Sequence, residues 1–467
     1  MKSNFATKCF ALLAVLMLSG CGVQDTMPAA PAATEETAAT PAAEAMPQGR
    51  LHFVWQGGSR PSVDGKTVYG VDSGYYYDAR FLTGLDLDTG VLELVCAKSG
   101  CSQRDARCDA WLGPSPADGY TIAQCGAFAD GGKLYRVYVT APEHGGGAAR
   151  STLTVSALDG SGQKTLCEGF APDGSCLDIA WLADDGYLYA VYESNPPRSD
   201  GLSSERTVVL SIAKADGSVR ILFDWAAGGE MPTTTPRIFA AAVCSGRLVL
   251  SRDHPPEAHT GSMADDAAAT RITFHILDLD TGTLSQPLPV EDASDFFSLQ
   301  GEEAWQIDDA GNLTVTDLLT GETLQEYPGL WPETWEPQTI FAVTDQAFAI
   351  DGRECTPAPD GSLSCQIHRL VFDRATGSLL RELPATWMKD GAMPQLPTLY
   401  AAGGGRAILQ VGSRTGTAID MGQDGTVYTH PAETPVYAVI GLEEYLSGSQ
   451  DWTTCTPADL YAVRSAP

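Results

Sequence analysis

The 467-residue chain is poor in basic residues. Its 29 Lys and Arg stand against 59 Asp and Glu, a formal net charge of −30. Such a chain offers no basic face to a phosphate backbone, which excludes nucleic acid as a partner. Catalytic signatures are absent as well. There is no Gly-x-Ser-x-Gly elbow, no His-Glu-x-x-His, no P-loop and no Gly-x-Gly-x-x-Gly after a strand. A pair of carboxylates for glycan cleavage stays open, because acidic residues are abundant. Asp-x-Asp-x-Asp loops are missing, so structural calcium is left only to loop carbonyls, and no other cofactor and no metal is expected. Long hydrophobic runs are lacking too. The longest, near the N-terminus, has about half of the roughly 20 residues a membrane-crossing helix needs. Long amphipathic helical patterns do not occur, which argues against an α/β fold.

What is present starts with an export signal. Lys2 and Lys8 precede the apolar run Cys9-Phe10-Ala11-Leu12-Leu13-Ala14-Val15-Leu16-Met17, and Leu18-Ser19-Gly20-Cys21 follows. The last four residues resemble the lipobox of bacterial lipoproteins. The resemblance implies a signal peptide over residues 1–20, cleavage before Cys21 and lipidation of the Cys21 thiol. Residues 21–50 are mainly Ala, Pro, Thr and Glu, with no aromatic residue. They cannot bury enough apolar area to offset the entropy of ordering and read as a disordered linker. The expected location is the extracytoplasmic face of the cell membrane, held there by lipid, and residues 51–467 form the folded domain.

Ten cysteines lie beyond the anchor, an even number that suggests disulfides in an exported chain. Cys167 with Cys176, and Cys355 with Cys365, are spaced to staple hairpins. Each second member follows a turn, Pro172-Asp173-Gly174 or Pro359-Asp360-Gly361. Cys244 and Cys455 are paired by elimination. Cys96, Cys101, Cys108 and Cys125 have spacings unlike the close pairs of a zinc ribbon, so two disulfides are expected there.

Glycine is plentiful, 48 in all, and much of it marks a repeat. Asp-x-x-Thr-Gly begins at Asp86, Asp278, Asp317 and Asp373, and looser forms lie at Asp159, Asp216 and Asp424. These are hairpin turns in which aspartate bonds the turn amides and glycine accepts positive φ. A second turn type alternates with them, at Asp64, Gly132, Asp185, Ser245, Glu303, Asp345 and Gly405. Seven of each, at a period of roughly 55 to 60 residues, predict an all-β, seven-bladed β-propeller, with eight blades the next choice. A shared blade built from both chain ends, residues 51–55 and 460–463, is expected to close the ring. The Asp-x-x-Thr-Gly units resemble those of quinoprotein-like and WD40-like bacterial propellers. The tryptophan expected just after the turn is replaced here, so no quinone cofactor is implied. The segment from Cys96 to Ala110 resembles a cysteine segment of propeller lipoproteins from Gram-positive anaerobes, without the histidine those carry near position 103.

Two aromatic groups are candidate ligand-binding residues: Tyr75, Tyr76 and Tyr77, and the pair Trp331 and Trp335. Exposed tryptophans would make a platform for a sugar or a partner side chain. His254 and His259 read as part of an exposed polar loop. The sequence therefore points to a surface-anchored, non-enzymatic propeller that binds a ligand, a protein or a glycan. The alternatives are an envelope-assembly scaffold and an extracellular hydrolase or lyase acting on glycan or peptide.

Overall fold

The structure, a computed structural model, describes residues 51–56, 62–64, 67–69, 82–101, 108–111, 120–142, 150–171, 179–194, 206–226, 238–256, 269–292, 296–332, 334–357, 363–389, 393–421 and 427–455. Cys21, Tyr75, Tyr76, Tyr77, Cys176, His259 and residues 460–463 lie outside these.

Strand β1 (His52–Gln56) stands apart, and seven four-stranded antiparallel meanders follow it. Blade 1 is β2 (Ser62–Asp64), β3 (Thr67–Tyr69), β4 (Thr83–Asp86) and β5 (Leu92–Leu94). Blade 2 is β6 (Tyr120–Asp130), β7 (Lys133–Pro142), β8 (Arg150–Ala157) and β9 (Lys164–Glu168). Blade 3 is β10 (Ile179–Ala183), β11 (Tyr187–Ser194), β12 (Arg206–Ala213) and β13 (Val219–Ala226). Blade 4 is β14 (Ile238–Cys244), β15 (Arg247–His254), β16 (Arg271–Leu277) and β17 (Glu291–Asp292). Blade 5 is β18 (Phe296–Gln300), β19 (Glu303–Ile307), β20 (Leu313–Asp317) and β21 (Thr323–Tyr327). Blade 6 is β22 (Trp335–Val343), β23 (Ala347–Pro357), β24 (Leu363–Asp373) and β25 (Leu379–Leu383). A small hairpin, β26 (Trp387–Lys389) and β27 (Met393–Gln395), leads to blade 7. Blade 7 is β28 (Thr398–Gly403), β29 (Arg406–Met421), β30 (Val427–Gly441) and β31 (Thr453–Thr454), with helix α1 (Leu442–Leu446) before its last strand.

The blades form a seven-bladed propeller. A blade has two faces to bury, and alternate side chains of one strand serve alternate neighbours. In β29, Ile408 packs against blade 1 while Ala407 and Leu409 pack against blade 6. Each of the seven seams between blades has its own apolar cluster. The first strands of neighbouring blades touch, β2 with both β6 and β28, so they form the inner wall and the ring is closed.

Closure differs from the expectation of a shared blade. Every blade is continuous in sequence, and the seam between blades 7 and 1 is joined by packing of Leu85 and Leu94 against Ile408 and Val439. Residues 51–55 instead belong to β1, which pairs antiparallel with the inner strand of blade 3, His52 opposite Ala183 and Gln56 opposite Ala180. It lies inside the ring and satisfies backbone groups that an inner edge would leave to water.

The repeated turns have a structural reason. In the Asp-x-x-Thr-Gly units the aspartate Oδ1 accepts the amides two and three residues on, as Asp278 does from Asp280 at 2.9 Å and Thr281 at 2.8 Å. The glycine then lets the turn land on the outer strand of the preceding blade. A Cβ on Gly282 (φ 71) would stand 1.9 Å from the carbonyl oxygen of Leu222 in β13. A turn glycine also approaches closely at five other seams: Gly160 and Gly217 meet the carbonyl oxygens of Val95 and Leu166, whereas Gly90, Gly321 and Gly377 meet the side chains of Thr453, Pro289 and Tyr327. Six of the seven expected turns of this type join a third strand to a fourth. The unit at Asp424 falls instead between β29 and β30, outside the described residues, and blade 7 uses α1 where the others have the turn.

Candidate functional site

In a meander, the first-to-second and third-to-fourth turns share one face, and the remaining connections share the other. Here the first face carries the tight Asp and Gly turns. The opposite face, the loop face, is the one at which second strands end and third strands begin. The chain arrives on the turn face, where His52 pairs with the last residue of β10, and β1 then runs towards the loop face.

Two adjacent blades raise arms on the loop face. In blade 6, pairing of β23 with β22 stops at Glu354 and pairing of β24 with β25 stops at Arg369. The β23–β24 ladder continues to Pro357 opposite Leu363. Cys355 and Cys365 face each other there and form the expected disulfide, with Cα atoms 4.1 Å apart. In blade 7, β29 and β30 stay paired to Met421 opposite Val427, although β28 reaches only Gln410. The small β26–β27 hairpin touches β29.

The base of the blade 6 arm gathers polar and aromatic groups. The His368 ring stacks on Trp335 at 4.1 Å between centroids, and its Nδ1 lies 2.7 Å from Glu382 and its Nε2 3.5 Å from Glu354. The Arg353 guanidinium pairs with Glu336. The two tryptophans do not form an exposed platform. Trp331 is 3% exposed in the seam between blades 5 and 6, donates its indole N–H to the Trp335 carbonyl at 3.0 Å and lies over Gly352. Trp335 is half-buried and covered on one side by His368. An indole this large fills a blade seam better than it caps a loop, and its N–H has found an acceptor there.

A second constellation sits on the turn face beside β1. Asp130, at the end of β6, accepts from the Lys214 ammonium and lies 3.0 Å from His52 Nε2. Lys214 also reaches the Asp184 carbonyl. The Asp184 carboxylate takes the Gly186 and Tyr187 amides and the Tyr189 hydroxyl, at 2.8, 2.7 and 2.6 Å. Burial works to raise the Asp130 carboxyl, yet His52 and Lys214 hold it below its ordinary value. Burial, with help from that carboxylate, pushes the Tyr135 hydroxyl up to about 12. These ionisable groups are spent on one another, and what they fasten is β1 to blades 2 and 3. Sequence patterns could not have revealed them, because 78 residues separate His52 from Asp130 and 84 separate Lys214 from it.

The third constellation is made of thiols. Cys96, Cys101 and Cys108 bring their sulfurs within 4.8 Å of one another, and no disulfide joins them. This differs from the disulfides expected there; the side chain of the fourth candidate, Cys125, lies outside the described residues. Against desolvation by burial, the backbone N–H groups of Lys98 and Asp109 hold the Cys96 thiol below its ordinary value. Burial raises Cys108, opposed by the N–H of Ala110. Cys244 and Cys455 are not partners: both are buried thiols, one in the seam of blades 4 and 5, the other in that of blades 7 and 1. Elimination failed because it assumed that every cysteine pairs. Cys167 is half-buried in β9.

No family profile matches the chain, and no curated protein matches it in sequence. Solved structures of similar fold include a europium-containing methanol dehydrogenase, at 12% identity, 89% coverage of each chain and a TM-score of 0.35. Sqt1 of Saccharomyces cerevisiae is similar at 13% identity, covering 85% of this chain and 95% of its own, with a TM-score of 0.35. An α-L-arabinanase of Penicillium chrysogenum is similar at 14% identity, covering 73% of this chain and 82% of its own, with a TM-score of 0.32. The propeller assignment rests on the strand order and the seven seams.

Proposed function

We propose that this chain is a lipid-anchored extracytoplasmic propeller that presents its loop face, and above all the arms of blades 6 and 7, to a protein or glycan partner. The observation that supports this reading is the polarity of the ring. The N-terminal segment joins on the turn face, so a tether ending at a lipidated Cys21 would emerge from that side. A flexible linker over residues 21–50 has a reach of roughly 30 Å. Loops on a rigid scaffold are where recognition is commonly placed. β1 lines the inner wall, which favours docking on the face over a ligand threaded through the channel. The groups that converge on the turn face fasten β1, which favours binding over hydrolysis.

The test is photo-crosslinking in intact cells. A photoreactive residue is placed at Ile367 on the blade 6 arm, which is 51% exposed, or at Val91 beside a turn, 52% exposed. A discrete adduct from position 367 and none from position 91 is the expected result. Adducts from position 91 alone would reverse the proposed orientation. Mass spectrometry of the N-terminal peptide should show a lipidated Cys21, and Cys21→Ser should release the protein from the membrane. An unmodified Cys21 on a membrane-bound chain would remove the anchor.

A further inference from the structure

We propose that Cys96, Cys101 and Cys108 hold a thiophilic divalent metal ion, zinc being the leading candidate, as a three-thiolate site beside blade 1. The three sulfurs lie within 4.8 Å of one another. A tetrahedral zinc–thiolate centre, with Zn–S near 2.3 Å, needs its sulfurs about 3.8 Å apart, a small contraction from this arrangement. A disulfide would use two of them and leave the third thiol against the bond.

The surroundings suit bound thiolates. The N–H of Lys98 points at the sulfur of Cys96 and that of Ala110 at the sulfur of Cys108, each two residues on from its cysteine. A third N–H, from Asp109, also reaches Cys96. Amides so placed stabilise sulfur as an anion and aim its lone pairs away from the chain.

The independent observation is Arg136. Its side chain comes from β7 in the next blade and the residue is 1% exposed. Its hydrogen bonds go to neutral oxygens: Ser156 at 3.1 Å, Gln163 at 3.2 Å and the Asp109 carbonyl at 2.8 Å. Its Nε is buried with no acceptor. A buried cation calls for a compensating anion. The Asp109 carboxylate acts on it through space, and Lys98, 3.9 Å away, shares that carboxylate. Cys96 and Cys108 are its other electrostatic partners. Three thiolates around one divalent ion carry a single net negative charge, which matches one guanidinium. Each thiol gives its proton to solvent as the metal binds.

The experiment uses the full chain in mild detergent, reduced with a phosphine and freed of metal, then titrated with Cd²⁺ alone. One equivalent should bind with sulfur-to-cadmium charge-transfer absorption. It should protect Cys96, Cys101 and Cys108 from alkylation, read by peptide mass spectrometry, while labelling of Cys167 stays unchanged. Cys96→Ser and Cys101→Ser, both at half-buried positions, should weaken Cd²⁺ binding by at least about tenfold. The proposal is overturned if the folded, reduced wild-type chain shows no charge-transfer band. It is equally overturned if the chain as exported carries a disulfide between any two of the three.

Discussion

Six seams of the ring are fastened in one way and the seventh in another. At six, a turn glycine of one blade sits on the outer strand of the blade before it or on a residue beside that strand, as Gly217 does on Leu166 and Gly321 on Pro289. At the seam of blades 6 and 7 the turn is replaced by α1, and side chains do the fastening. Arg369 of β24, side chain 3% exposed, forks onto Asp351 at 2.6 and 2.7 Å. It also donates to the Pro397 carbonyl and the Tyr445 hydroxyl, and its guanidinium lies 3.5 Å over the Phe341 ring. The first solution needs only a short local motif, so it can be repeated along a chain. The second needs residues from five separate segments, and among the described residues it is found once.

That contrast predicts the largest effect at Arg369. Arg369→Met should destabilise the fold by about 3–5 kcal/mol, because it strands the Asp351 carboxylate in a seam. The midpoint of guanidinium unfolding measures it. Arg369→Met combined with Asp351→Leu should recover most of the loss, since the cost comes from the unpaired charge. A loss below about 1 kcal/mol in the single variant would mean that the apolar contacts of Phe341 and Leu446 hold this seam unaided.

Gly282→Ala should cost about 2–4 kcal/mol, with contributions from the left-handed backbone and from displacing β13. Gly246, in a tight turn of blade 4, separates the two terms: it has φ 74, and a Cβ there meets nothing within 4 Å. Gly246→Ala should therefore cost only about 1 kcal/mol, the strain alone. Equal losses at the two positions would show that glycine is needed for turn shape and not for docking the blades.

Legibility in the sequence followed the same division. The first-to-second-strand turns, including Asp64 and Gly405, were readable at all seven blades because each is local and period-2 strands flank it. The Cys355–Cys365 staple was readable because its loop is short and centred on a turn. Trp331 and Trp335 were visible as a pair, but the fate of an indole depends on which blade covers it, and that is a long-range fact. The shared closing blade was misjudged for a related reason: an apolar run such as residues 51–55 can pair with any open edge, and here it took the inner edge of β10. The network of His52, Asp130 and Lys214 and the Arg369 fork carry no local signature at all.

The smallest predicted effect tests the turns by charge alone. The Asp278, Asp308 and Asp317 carboxyls lie below their ordinary values. For Asp278 and Asp317 the leading cause is the turn amides; for Asp308 it is the Asn312 side chain. A depressed carboxyl contributes stability that is present above the unfolded value, near pH 3.9. That contribution is lost as pH falls through the folded value. Asp317→Asn keeps an oxygen for the amides of Leu319 and Thr320, at 2.9 and 2.7 Å, and removes the charge. Solvent screens these exposed groups, so the variant should melt only slightly below the wild type at pH 7. The two melting curves should converge as pH drops below about 4, where the wild-type carboxyl takes up its proton. A gap that persists at low pH would mean that the turn depends on the shape of the aspartate side chain rather than on its charge.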